Sequence, residues 1–157
     1  MLLSLLHLGL LAHCVAAAVF TVGQKWQIVL SSPPDVSNPN LAPSDAVVWD
    51  IDAFDSDAKT VAALKAAGKT VICYFSAGTY EPWRPDASQF TTKDYGKALP
   101  EWPDEKWLDM KSSHVRSIIQ SRVQMAASKG CDAIDPDNTG KLHPTLVIFT
   151  TSYDMHG

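Results

Sequence analysis

Two helix exits of the same design constrain what this chain can fold into. Asp57 to Ala67, with Val61 and Leu64 on one face, ends at Gly68 and passes into the run Thr70 to Phe75 (TVICYF). A second helical stretch, marked by Val115, Ile119, Val123 and Ala126, ends at Gly130 and passes into Cys131 to Asp135. Glycine just past the last helical residue supplies the left-handed turn that stops a helix. The strands that follow carry apolar residues in runs, which suits burial on both faces, as in a parallel sheet flanked by helices. Gln27 to Leu30, closed by Ser31-Ser32-Pro33-Pro34, and Asp45 to Asp52 (DAVVWDID) read as two earlier strands.

Alternating strands and helices leave two architectures, an open doubly wound sheet and a (β/α) barrel. The stretch from Ser76 to Lys111 lacks clear periodicity and departs from the carboxyl end of a strand, where barrels place their functional loops, so the barrel is favoured. A complete eight-stranded barrel takes about 250 residues, and the chain has 157. The expected fold class is α/β, of the (β/α)8 TIM-barrel type, truncated to about four βα units.

The amino-terminal run MLLSLLHLGLL, followed by Ala16-Ala17-Ala18, has the apolar core and small-residue site of a secretory signal peptide, expected to span residues 1–18. Removing it takes Cys14 away and leaves Cys73 and Cys131 in a compartment that permits a disulfide. The alternative is two buried thiols packed as small apolar side chains. Seventeen acidic residues against thirteen Lys and Arg give a net charge of −4, which disfavours nucleic acid and anionic lipid as partners. No later segment reads as membrane-spanning, and the sequence leaves the oligomeric state open.

Carboxylates gather where the strands end: Asp50 and Asp52 on the second, Glu81 and Asp86 after the third, Asp135 and Asp137 after the fourth. Acids converging on one rim are what glycosidic cleavage uses, one as general acid and one as base or nucleophile. Tyr74, Tyr80, Trp83, Phe90, Tyr95, Trp102 and Trp107 accompany them, and flat apolar faces beside polar groups suit sugar rings. Phe90 and Trp107 are expected to pack the loop instead. Other chemistries find little support. Counted from Asp50, a calcium loop would need glycine where Asp55 stands and glutamate where Val61 stands. His114, His143 and His156 form no zinc-ligand pair, and Ser76 lies in FSAG rather than GxSxG. No metal or cofactor is expected.

Val48-Trp49-Asp50-Ile51-Asp52, the run from Val71 to Thr79 (VICYFSAGT), Glu81-Pro82-Trp83-Arg84-Pro85-Asp86 and the run from Gly130 to Asn138 (GCDAIDPDN) resemble glycoside hydrolase family 114 over about residues 24–138. The resemblance implies a TIM barrel and an endo-α-1,4-polygalactosaminidase or α-galactosidase-like activity on α-linked galactosamine or galactose polysaccharide. It also implies Asp137 as the first choice for a catalytic carboxylate, with Asp135 the alternative. Asp50, Asp52, Tyr74, Glu81, Trp83, Arg84 and Asn138 are the implied substrate-binding positions, Arg84 alternatively being a structural ion-pair residue. Residues 19–138 would form the amino-terminal half of the barrel. The family pattern departs after Asn138, so residues 139–157 are expected to be an atypical truncated tail, with the uncharged run Leu146 to Thr151 prone to aggregate. The chain alone is accordingly expected to be inactive.

Overall fold

The computed structural model describes residues 20–38 and 41–139. The expected signal peptide and the tail beyond Thr139, including the apolar run at 146–151, lie outside the described residues. Four parallel strands, β1 (Trp26–Val29), β2 (Val48–Asp52), β3 (Thr70–Ser76) and β7 (Ala133–Asp137), form one sheet in the order β1-β2-β3-β7. Helix α1 (Ala58–Ala66) joins β2 to β3, and α2 (Ser113–Lys129) leads into β7. This is a partial (β/α) barrel. It differs from four full βα units in two respects: among the described residues, no helix connects β1 to β2 and none follows β7.

Both helices start and stop where local chemistry dictates. The Asp57 carboxylate accepts the Thr60 amide at 2.8 Å, and the Ser112 hydroxyl accepts the Val115 amide at 3.3 Å, each satisfying a donor that the first turn would leave unpaired. Gly130 closes α2 at φ +89°, a left-handed geometry that a side chain would strain. Asp132, two residues on, accepts Val71 N at 2.9 Å and Lys65 Nζ at 2.7 Å, and so ties α1 and β3 to the start of β7.

Strand pairing sorts the side chains onto two faces. Asp50 is level with Ile72, Asp52 with Tyr74, Tyr74 with Asp135, and Ser76 with Asp137. Because alternate residues point to opposite faces, these share one side of the sheet. The other side carries Trp49, Ile51, Val71, Cys73 and Phe75, which pack with Val61 and Leu64 of α1 and Ala126 of α2 as the main core. Cys73 and Cys131 are joined by a disulfide within this layer.

The insertion between β3 and α2 holds order that its sequence does not announce. Strands β4 (Thr79–Tyr80), β5 (Tyr95–Ala98) and β6 (Lys106–Leu108) form a three-stranded antiparallel sheet in the order β4-β6-β5. Two- to four-residue strands are too short for alternation to show. Phe90 and Leu108 pack on Val115 and Ile118 of α2 as a second core, and Tyr80 stacks on Tyr95 with ring centroids 4.4 Å apart. Tyr80 and Tyr95 therefore join Phe90 in packing the insertion.

Arg122 falls at the α2 position between Ile118 and Ala126 on the buried stripe and is itself buried. Its guanidinium holds Asp86 with two bonds, 2.8 and 2.9 Å, and donates to the Ser76 carbonyl at 2.6 Å, fastening the insertion to the end of β3.

The Cys73–Cys131 bond closes a separation of 58 residues, and chain-entropy reasoning gives such a loop about 4 kcal/mol of stabilisation. Reduction, or Cys73→Ala with Cys131→Ala, is expected to lower the unfolding free energy by about that amount in urea denaturation. Two thiols titrating in the denatured, unreduced protein would contradict the bond.

Candidate functional site

The shared sheet face ends in a rim of acids. β2 presents Asp50 and Asp52 and β7 presents Asp135 and Asp137, with Tyr74 and Ser76 of β3 between them. β7 runs on through Pro136 to Asp137, two residues past the expected end, so Asp135 and Asp137 project from the same face. Proline lacks a ladder donor but is tolerated in a strand with an open edge, and β7 is the last strand in the described sheet.

Asp137 is exposed, and two neighbours orient its carboxylate. Tyr74 Oη donates to Asp137 Oδ2 at 2.9 Å, and the Asn138 amide donates to Oδ1 at 2.6 Å. Burial pushes the Tyr74 hydroxyl above the ordinary tyrosine range, with the neighbouring Asp137 carboxylate adding to the shift and Ser76 opposing it. Tyr74 therefore stays protonated and acts as a donor. The Asp137 carbonyl in turn accepts the amides of Ala77 and Gly78 at 2.9 and 3.1 Å. Gly78 is obligatory here: a Cβ at that position would lie 1.9 Å from the Asn138 carbonyl oxygen.

Deeper on the face, Asp50 is 3% exposed and lies near the Asp135 carboxyl group. Its Oδ1 meets no donor among the described residues. Burial, and after it the adjacent Asp135 charge, push Asp50 up to about 7. Asp50 therefore holds its proton well above the pH at which an ordinary aspartate loses it.

Asp52, Glu81 and Arg84 form a closed, buried set. Arg84 Nε and Nη2 donate to Glu81 at 2.8 and 3.2 Å, Nη1 donates to Asp52 Oδ1 at 3.0 Å, and Nη2 lies 2.8 Å from Asp52 Oδ2. The guanidinium also covers the Phe54 ring at 4.9 Å. Asp52 further accepts the amides of Phe54 and Asp55, while Lys129 Nζ donates to the carbonyls of Ala53, Phe54 and Ser56. These three charged groups satisfy one another. Trp83, next to Arg84, is 55% exposed.

One buried acid in this region is not apparent from sequence. Glu105, just before β6, accepts the Thr79 hydroxyl at 2.8 Å, and that hydroxyl accepts Asn138 Nδ2 at 3.0 Å. Glu105 sits in EWPDEKW, a stretch without period, and nothing local distinguishes it from its solvated neighbours. Arg122 did leave a signal, a charge on an otherwise apolar helical stripe. Asp94, also buried, accepts the Thr91 amide and hydroxyl and contacts His114 Nδ1 at 3.1 Å, fixing the turn before β5.

A groove of about 380 Å³ lined by Gln27, Val29, Pro33, Pro34, Leu41 and Trp49 opens on the opposite side of the sheet and includes none of the strand-end carboxylates. Among the described residues no group of three or more His, Cys, Asp or Glu is arranged to hold a metal ion, and no helix is long and apolar enough to cross a membrane.

Comparison with known proteins places this geometry. The model of glycoside-hydrolase family GH114 matches residues 11–145. The crystal structure of Aspergillus fumigatus Ega3 in complex with galactosamine is similar at 50% identity, covering 76% of this chain and 45% of that one, with a TM-score of 0.70. The glycoside hydrolase domain of PelA from Pseudomonas aeruginosa shares the fold at 15% identity, with 74% and 45% of the two chains covered and a TM-score of 0.62. The chain thus spans 45% of the length of each of these structures. No curated protein gives a significant match.

The Asp50–Asp135 pair predicts a pH dependence of stability. A carboxyl group raised in the folded state retains a proton that the unfolded chain releases, so its contribution favours folding below about pH 4 and is lost as pH rises towards 7. A rise from 3.8 to about 7 corresponds to about 4 kcal/mol at most. Asp50→Asn is expected to flatten the stability profile between pH 4 and 7 and to raise the melting temperature at pH 7.5, as read by thermal denaturation across that range.

Proposed function

The chain belongs to glycoside-hydrolase family GH114, and from that membership we propose that the protein is a secreted glycosidase that hydrolyses O-glycosyl bonds in α-linked galactosamine or galactose polysaccharide. The observation that carries this reading is the exposed Asp137 carboxylate at the end of β7, oriented by Tyr74 Oη and the Asn138 amide. Glycosidic cleavage takes two carboxyl groups, one to protonate the leaving oxygen and one to attack the anomeric carbon or activate water. Asp137 takes one of these roles. Asp135, on the same face but paired with Asp50, is the alternative.

Four further features support the reading. A rim rich in carboxylates suits a polymer whose sugars carry ammonium groups, since opposite charges attract strongly where water is partly excluded. The similar Ega3 structure contains galactosamine. The exposed Trp83 side chain offers a sugar ring an apolar surface, and the Cys73–Cys131 bond suits an oxidising, extracellular compartment. Carboxyl acid–base chemistry of this kind needs no cofactor. A second reading is sugar binding at the rim without turnover.

The test is reducing-sugar release from de-N-acetylated galactosaminogalactan by the chain and by Asp137→Asn. Release by the parent, lowered about 10³-fold or more by the substitution, is expected if the chain is active and Asp137 is catalytic. Equal release by both would remove Asp137 from the chemistry. Polymer binding with no release from either folded protein would select the second reading.

A further inference from the structure

Besides the Arg84 ion pairs, a line of hydrogen bonds links the insertion to the Asp137 end of the rim. Glu105 Oε2 accepts the Thr79 hydroxyl, whose oxygen accepts Asn138 Nδ2, and the Asn138 backbone amide donates to Asp137 Oδ1. Thr79 and Glu105 are both buried. A threonine hydroxyl has one proton to give. Because an ionised Glu105 can only accept, it takes that proton and leaves the Thr79 lone pairs facing the Asn138 amide group.

Asn138 needs such an anchor. It lies at φ +61°, in the left-handed region, which costs an ordinary side chain about 1 kcal/mol and which asparagine tolerates best after glycine. This conformation accompanies the return of the Asn138 amide onto the carboxylate of the residue before it. The packing also leaves no room beside Gly78. The insertion is tied to the same point by the Leu108 amide, which donates to the Gly78 carbonyl at 2.9 Å.

We propose that Glu105 is a positioning residue, which holds the Asp137 carboxylate in its presented orientation by acting through Thr79 and Asn138. The functional weight of this role rests on the reading of Asp137 given above, whereas the positioning itself is measurable without turnover. Glu105 touches neither Asp137 nor a substrate in this scheme. It sets the polarity of the relay from a separate sheet, and with it the geometry of the strand end.

The experiment is NMR on the isotope-labelled chain, following the Asn138 amide exchange rate and the Asp137 carboxyl ¹³C resonance in Glu105→Leu, Glu105→Gln, Thr79→Val and Thr79→Ser. Glu105→Leu and Thr79→Val are expected to speed Asn138 exchange about tenfold, the size of one lost hydrogen bond, and to displace the Asp137 resonance. Glu105→Gln and Thr79→Ser, which keep an acceptor and a hydroxyl, should return both signals to the parent values. An Asn138 amide and an Asp137 resonance unchanged in both disruptive variants would overturn the proposal. So would equal disturbance by Glu105→Gln and Glu105→Leu. If Glu105→Leu fails to fold, Thr79→Val decides, since it removes the relay without removing a charge. Altered signals in a chain that neither binds nor cleaves the polymer would support the positioning role and count against the reading of Asp137. Unaltered signals beside an activity lost in Asp137→Asn would do the reverse.

Discussion

Carboxylate crowding on one face of the sheet is the constraint that the rest of this structure answers. Asp50, Asp52, Asp135 and Asp137 project from two strands separated only by β3, with Glu81 and Glu105 close behind. Charges so near one another in a partly dry environment cannot all be ionised without compensation. Each is resolved differently. Arg84 bridges Asp52 and Glu81, Asp50 is buried and holds its proton, and Asp137 faces outward with a phenol and an amide beside it. Glu105 turns to the Thr79 hydroxyl, while burial pushes its carboxyl above the usual range and Thr79 opposes the shift. The outcome is a graded set, with paired or buried acids underneath and an oriented acid at the surface.

The insertion is part of that solution. It brings Arg84 to Asp52, Asp86 to Arg122, and Glu105 with Thr79 to Asn138. It also has its own small core, in which Phe90 and Leu108 pack on α2. A long connection at the carboxyl end of a strand is a common place for function in this architecture. Here it orders the rim from outside the barrel, so that residues contributing nothing to the parallel sheet determine how its strand ends are presented.

Much of this arrangement was legible in the sequence, and the part that was not has physical reasons. The two glycine-terminated helices and the apolar strands that follow them were visible because burial and helix stops act locally. The rim acids were visible because strand alternation places Asp135 and Asp137 on one side once the strand continues through Pro136. The small antiparallel sheet stayed hidden because its strands are too short to show a period. Tyr80 and Tyr95 read as ligand-facing aromatics, yet they stack on each other, because composition does not say which way a ring points. Glu105 was invisible for a different reason. Its role depends on Thr79 and Asn138, 26 and 33 positions away in sequence, and on a turn that no local pattern encodes. Arg122 lay between these cases, since a charge on a buried stripe demands a partner without naming it.

On the proposed reading of the site, this acidic rim receives an amino sugar. Isothermal titration of an α-1,4-linked galactosamine oligosaccharide into the folded chain tests it most directly, with the N-acetylated oligosaccharide as the comparison. Saturable binding of the cationic oligosaccharide, weakening as salt is raised and lost on N-acetylation, is expected. No binding, or equal binding of the charged and neutral oligosaccharides at all salt concentrations, would contradict that reading.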